Sequence, residues 1–269
     1  MFPGAHTARE QAAYAVVGAP LDASTTFRPG TRFGPRRIRE ASEPFEDYDQ
    51  HTGLHFSDLS VTDHGDIWPT DDTAEYLEFL RGTCGEYAEN GTIPLVVGGE
   101  HTVTIGAVRA LEPDVFVCLD AHLDLRESYA GNPLSHATVS HHAASVAETL
   151  VVLGARAGCE AEWKRAEKAD VTVVPPKEVP DWEPSFTDER VYLSVDIDAA
   201  DPGFAPGTGT PEPFGLDPQT MHNVVRTVAP GCVGFDVVEV NDRDNGQSAS
   251  LAAKLLRAFV FAHAADAKN

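Results

Sequence analysis

Apolar, β-branched runs recur along the chain at Tyr14 to Ala19, Ile93 to Val97, Val115 to Leu119, Leu150 to Leu153, Val171 to Val174, Val191 to Val195 and Val233 to Val240. Short runs with little polar alternation are the pattern of strands buried on both faces. Between them, apolar positions return at helical spacing in Thr73 to Glu89, Val103 to Leu111, Ala137 to Ala147, Glu160 to Ala169, Pro218 to Val228 and Ser248 to Ala264. Strand and helix alternate. That order implies right-handed crossovers and a mostly parallel sheet covered by helices on both faces, a three-layer α/β/α fold. Asp63 and Asp66 around Gly65, after Leu59 to Val61, read as a turn, and Arg28 and Arg32 as residues that order the loop behind the first strand.

No Ser-rich, Gly-rich or single-sign charged linker divides the 269 residues, so the expectation is a single domain spanning 1–269. The longest apolar runs fall well short of the ~20 residues that a membrane-spanning helix needs. Met1 to Gln11 has no basic start followed by an apolar stretch, which places the protein in the cytoplasm. Cys84, Cys118, Cys159 and Cys232 are widely spaced, form no CxxC pair and read as reduced thiols. The 42 acidic residues against 20 basic ones give a formal charge of -22. Such a surface repels phosphates, which excludes nucleic acid and anionic membranes as partners. It also fits life in molar salt, where the screening length falls to ~3 Å and acidic self-repulsion weakens.

In open α/β sheets the ligand crevice lies outside the carboxyl ends of the strands, so polar residues directly after an apolar run are the first candidates for chemistry. Three strand ends carry such a load: Gly98-Gly99-Glu100-His101, Asp120-Ala121-His122-Leu123-Asp124 and Asp196-Ile197-Asp198. In an extended segment Asp120, His122 and Asp124 share one side, as do Asp196 and Asp198. Four aspartates gathered at the end of a buried sheet would cost several kcal/mol per uncompensated charge, so a cation is required. With neutral His101 and His122, the four negative charges of Asp120, Asp124, Asp196 and Asp198 match two divalent ions. Carboxylates with a minority of imidazole suit Mn²⁺ better than Ca²⁺ or structural Zn²⁺, and two ions ~3.5–4 Å apart activate water for hydrolysis.

These motifs, with Asp201-Pro202 and Ala205-Pro206-Gly207-Thr208-Gly209-Thr210-Pro211-Glu212-Pro213, resemble the signatures of the ureohydrolases, the arginases and agmatinases. The resemblance runs from Val17-Gly18-Ala19-Pro20 and Arg28 to Pro35 through to Phe235-Asp236-Val237-Val238-Glu239-Val240-Asn241. It implies an arginase-like fold, two Mn²⁺ per subunit, urea as product and a homo-oligomer, a trimer or hexamer. By matching position, His101 and Asp124 would bind one ion and His122 and Asp198 the other, with Asp120 and Asp196 bridging. Asp124, Glu239 and His136 would be the catalytic residues: Glu239 pairs with the guanidinium, and His136, in Leu134-Ser135-His136-Ala137-Thr138, moves the proton. His141, His142, His222 and His263 read as surface or partly buried. The chain departs from the pattern at Asp242, where related sequences often carry proline.

The loop Leu125 to Pro133 looks agmatinase-like rather than arginase-like. Glu127 would tolerate the terminal ammonium of agmatine, whereas Arg126 would bind a carboxylate if it pointed inward. The expected activity is therefore hydrolysis of a small cationic guanidinium compound, agmatine first, a guanidino acid such as guanidinobutyrate second and arginine third. A deacetylase-like amide hydrolase and a catalytically silent metal-binding scaffold are the rivals, the first disfavoured by the second aspartate pair and the second by the presence of Glu239 and His136.

Overall fold

The computed structural model describes residues 1–241 and 243–267, so Asp242 lies outside the described residues. In chain order the strands are β1 (Tyr14–Ala19), β2 (Tyr48–Asp49), β3 (Leu54–His55), β4 (Val61–Asp66), β5 (Ile93–Gly98), β6 (Val115–Leu119), β7 (Thr149–Leu153), β8 (Val171–Val174), β9 (Val191–Asp196) and β10 (Cys232–Val238). Eight of them form one sheet in the order β4-β1-β5-β10-β9-β6-β7-β8. Every neighbouring pair in it is parallel. All eight carboxyl ends therefore open on the same edge. β2 and β3 form a separate antiparallel hairpin.

The helices are α1 (Gly34–Ser42), α2 (Thr73–Glu89), α3 (Val103–Leu111), α4 (Val139–Ala143), α5 (Glu160–Ala166), α6 (Pro218–Val228) and α7 (Gln247–Asp266). Because strand side chains alternate, neighbouring residues feed opposite cores. Val16, Leu95 and Val97 meet Ile38 of α1, Val225 of α6 and Phe259 of α7 on one face. Val17 and Val96 meet Leu80 of α2, Val108 of α3 and Val139 of α4 on the other. This is the three-layer α/β/α architecture. Helix starts follow from local chemistry: Asp72 accepts from the Ala74 and Glu75 amides, and Asp217, ahead of Pro218, accepts from Gln219 and Thr220.

Two elements differ from the sequence reading. Asp63, Gly65 and Asp66 belong to the edge strand β4 rather than to a turn, with Gly65 at φ +84° where the register with β1 shifts. The strand is polar because Asp63 and Asp66 clamp Arg39 of α1, at 2.8 and 2.6 Å. Helix α1 is not among the helices expected from spacing, since Ile38 is its one large buried apolar side chain. In addition, His136–Thr138 is a 3₁₀ turn ahead of a short α4, and β10 stops at Val238 because Glu239 turns to φ +63°.

Candidate active site

The acidic tips gather at the carboxyl edge of β5, β6 and β9, by a route that differs from simple strand alternation. Asp120 to Asp124 leaves the extended conformation: the His122 amide donates to Asp120 Oδ1 at 2.7 Å, and Asp124 takes φ +50°. Asp198 lies in a 3₁₀ turn whose amide donates to Asp196 Oδ1 at 2.8 Å. The Ala121 amide, donating to Asp198 Oδ1 at 3.0 Å, ties the two tips together. Each aspartate thus spends one oxygen or a backbone constraint on shaping the turn and keeps carboxylate surface for the centre.

Asp120, Asp124, Asp196 and Asp198 are all at most 5% exposed. His101 Nδ1 lies 3.2 Å from Asp120 Oδ2, 3.1 Å from Asp124 Oδ2 and 3.4 Å from Asp196 Oδ2. His122 Nδ1 lies 3.0 Å from Asp198 Oδ2 and 3.7 Å from Asp120 Oδ1. Asp120 is shared by the two imidazoles. Burial, and then repulsion from Asp120, pushes Asp124 up to about 7; burial, with Asp198 and Asp120, drives Asp196 well above the usual carboxylate range. Burial opposes charge on His101 and His122, yet the surrounding carboxylates, with Cys118 beside His101, raise both well above 6.5. The cluster thus draws positive charge into itself, as expected of groups that hold divalent cations. Asp120, His122 and Asp198 bring one ligand atom each within 4.8 Å of one another, and His101, Cys118 and Asp120 do the same. Cys118 is a weak candidate within that second group, because burial holds its thiol protonated and it lies 3.8 Å from His101 on the Nε2 side.

A hydrogen-bond chain behind His101 sets its tautomer. The Ser194 hydroxyl donates to Asp236 Oδ1 at 2.6 Å and therefore accepts from His101 Nε2, 3.0 Å away. Asp236, fully buried, also accepts from Tyr192 and Thr104 at 2.7 Å each. With Nε2 committed to donating to Ser194, Nδ1 is the ring atom turned to the carboxylates, and it is the atom that would bind a metal on giving up its proton. Neither Ser194 nor Asp236 was singled out from the sequence; a polar residue inside an otherwise apolar buried run was the available signal.

Beside the cluster opens a cavity of about 320 Å³, whose lining includes His122, Asp124, Arg126, His136, Glu162 and Glu212. His136 is half-buried, and burial pulls its pKa down to about 4, so its ring is neutral. Arg126 does turn toward the cavity, but its Nε donates to buried Glu162 at 3.0 Å and its guanidinium stacks 4.8 Å over Tyr129. Glu127 is exposed and is not part of the cavity wall. Glu239 is not on that wall either: it lies buried, its Oε1 accepting from the His101 amide at 2.8 Å, and a Cβ at Gly209 would come within 3.0 Å of its Oε2. Glycine at 209 leaves that oxygen clear. Burial raises the Glu239 carboxyl to about 8. Its left-handed backbone is a costly conformation for a non-glycine residue and is typical of functional positions.

Known proteins match this arrangement. The arginase family profile covers residues 12–262. The N(1)-aminopropylagmatine ureohydrolase of Thermococcus kodakarensis is 36% identical over 259 residues, 92% of this chain and 89% of the relative. The guanidinobutyrase of Pseudomonas aeruginosa is 37% identical over 276 residues, 90% of this chain and 83% of the relative. The crystal structure of the agmatine ureohydrolase of Thermoplasma volcanium superposes with a TM-score of 0.94 at 32% identity, covering 99% of this chain and 95% of that one. With the parallel sheet, the paired acidic tips and these likenesses in hand, the chain belongs to the arginase family and is a ureohydrolase, a hydrolase of guanidino compounds.

Proposed function

We propose that this ureohydrolase is an agmatinase, converting agmatine and water to putrescine and urea with two Mn²⁺ ions per subunit. The observation that carries the substrate reading is the charge of the cavity wall: Arg126 is already paired with Glu162, Asp124 is committed to the ions, and Glu212 remains to meet the tail of the substrate. A cationic amine tail is favoured there and a carboxylate tail is not. In this reading His101 and Asp124 would hold one ion and His122 and Asp198 the other, with Asp120 and Asp196 serving both. When bound, the ions supply Lewis acidity and lower the pKa of water. Glu239 pairs its carboxylate with the planar guanidinium and holds it against the cluster. His136, neutral at working pH, accepts a proton and delivers it to the departing amine nitrogen, so that the C–N bond breaks toward a neutral or protonated amine rather than an amide anion.

The same reading includes a homo-oligomer, a trimer or hexamer, supported by the exposed side chains of Phe27, Trp68 and Phe214 on loops that follow sheet strands. A cytoplasmic, high-salt setting is supported by the -22 charge, and no described helix is long and apolar enough to cross a membrane. Urea release from agmatine, arginine, guanidinobutyrate and guanidinopropionate, with Mn²⁺ in molar KCl, tests the proposal. The highest kcat/KM is expected for agmatine. A preference for guanidinobutyrate would move the assignment to a guanidino-acid hydrolase, and no urea from any of the four would leave a silent scaffold.

A further inference from the structure

The loop that follows β1 reaches across the sheet edge to the proton-moving histidine. Its base is pressed onto the β5 tip, where a Cβ at Gly99 would come within 2.0 Å of the Leu21 carbonyl and the Glu100 amide donates to that carbonyl at 2.7 Å. Its far side is pinned by Asp22, which meets Arg32 Nε at 2.6 Å and accepts from the Gly30 amide at 3.0 Å. Between these points the fully buried Glu100 carboxylate accepts from the Ser24 amide at 2.7 Å, the Ser24 hydroxyl at 2.8 Å, the Thr25 hydroxyl at 3.3 Å and the Thr102 hydroxyl at 2.7 Å. Four donors meet one charge. The Ser24 hydroxyl, having given its proton to Glu100, is left as an acceptor and takes the main-chain N–H of His136 at 3.0 Å. Two residues further on, Thr26 Oγ1 stands 3.4 Å from His136 Nε2 at the cavity wall.

We infer that Ser24 and Thr26 are positioning residues for His136, Ser24 fixing its backbone and Thr26 its ring. An imidazole that exchanges a proton must face the leaving nitrogen with the correct ring atom; with Nε2 against Thr26 that atom is Nδ1, and the hydroxyl accepts from Nε2–H whether Nδ1 is bare or protonated. Thr26 can therefore stay hydrogen-bonded through both halves of the transfer. The Glu100 anchor explains how an exposed loop residue keeps that geometry. The inference rests on the proposed role of His136.

The test uses the Mn²⁺-loaded enzyme and agmatine, with metal content measured for each variant. Ser24→Ala and Thr26→Val are expected to lower kcat about tenfold each, the size of one hydrogen bond, with KM within about twofold. Thr26→Ser should recover kcat to within about twofold of the parent. In a His136→Asn background the same two changes should alter the residual rate by less than about twofold, because they act through the missing ring. Equal losses in both backgrounds, a change in KM alone, or no loss of kcat would overturn the inference. A parental rate for His136→Asn by itself would instead overturn the assignment of His136.

Discussion

Removing the metal should make the stability of this protein depend on pH in a way that the loaded protein does not. Without ions, the folded site holds Asp124 up at about 7 and Glu239 at about 8, both by burial first, with Asp196 also raised. In the unfolded chain such carboxyls titrate near ~4. A raised carboxyl means the folded state binds more protons, so its penalty is absent below pH ~4 and grows as pH rises through the folded value. His101 and His122 are raised too, and their contribution is full below ~6.5 and is lost as pH rises further. Asp120 moves the other way, but its contribution is complete above pH ~4 and leaves the window untouched. Within the cluster the terms in play between pH 6 and 7.5 therefore weaken the metal-free protein, whereas His64, His142, His222 and His263, lowered by burial, gain stability as pH rises and cancel in the comparison because they lie outside the metal site. A bound ion displaces these protons, and each net proton displaced is about 1.4 kcal/mol per pH unit. For a chain of this size about 1 kcal/mol moves Tm by about 2–4 °C, so one displaced proton widens the gap between loaded and metal-free Tm by about 3–6 °C per pH unit. Melting curves with excess Mn²⁺ and with chelator, at pH 6, 6.75 and 7.5 and one ionic strength, measure it. A gap that is constant or narrows with pH would refute the coupling of the carboxylate cluster to the ion.

Further outcomes follow from the same geometry. His136→Ala should keep its metal and most of its substrate affinity but lose turnover by roughly 10²–10⁴-fold, and with it the pH dependence of an imidazole; steady-state rates and metal analysis check both. Glu239→Gln should raise KM and slow turnover with the metal content unchanged, since an amide cannot pair with guanidinium. The melting temperature should climb steeply from low salt to molar KCl, because screening relieves the repulsion within a surface of -22 charge; a flat profile would leave ordinary acidic solubility as the explanation.

Most of the sheet was legible because its strands are buried on both faces and read as uninterrupted apolar runs, as in β6 and β9. β4 was not, because an edge strand can afford Asp63 and Asp66 in its ladder when Arg39 neutralises them, and polarity then imitates a turn. Helix α1 shows the same limit: it carries four charged residues and a single large buried apolar one, and only its packing on the sheet reveals it. At the site, the acidic tips were visible as ligand types at strand ends, yet the way they converge was not. Strand alternation was the expected cause, whereas Asp120 and Asp196 use side-chain acceptance of the amide two residues on to build irregular turns. Partners distant in sequence were harder still. Ser24 and Glu100 lie 76 residues apart and Ser194 and Asp236 lie 42 apart, and periodicity carries no signal for such pairs. The orientation of Arg126 likewise depended on Glu162, 36 residues away.

The central claim, that paired divalent ions on this carboxylate cluster drive guanidinium hydrolysis, is tested most directly by titrating metal-free protein with Mn²⁺ while following urea release from agmatine. The account predicts no urea without metal and a rate that rises to a plateau at two ions bound per chain, with Asp196→Asn weakening both ions together. Full urea release from the metal-free protein, or a plateau reached at one ion per chain, would contradict it.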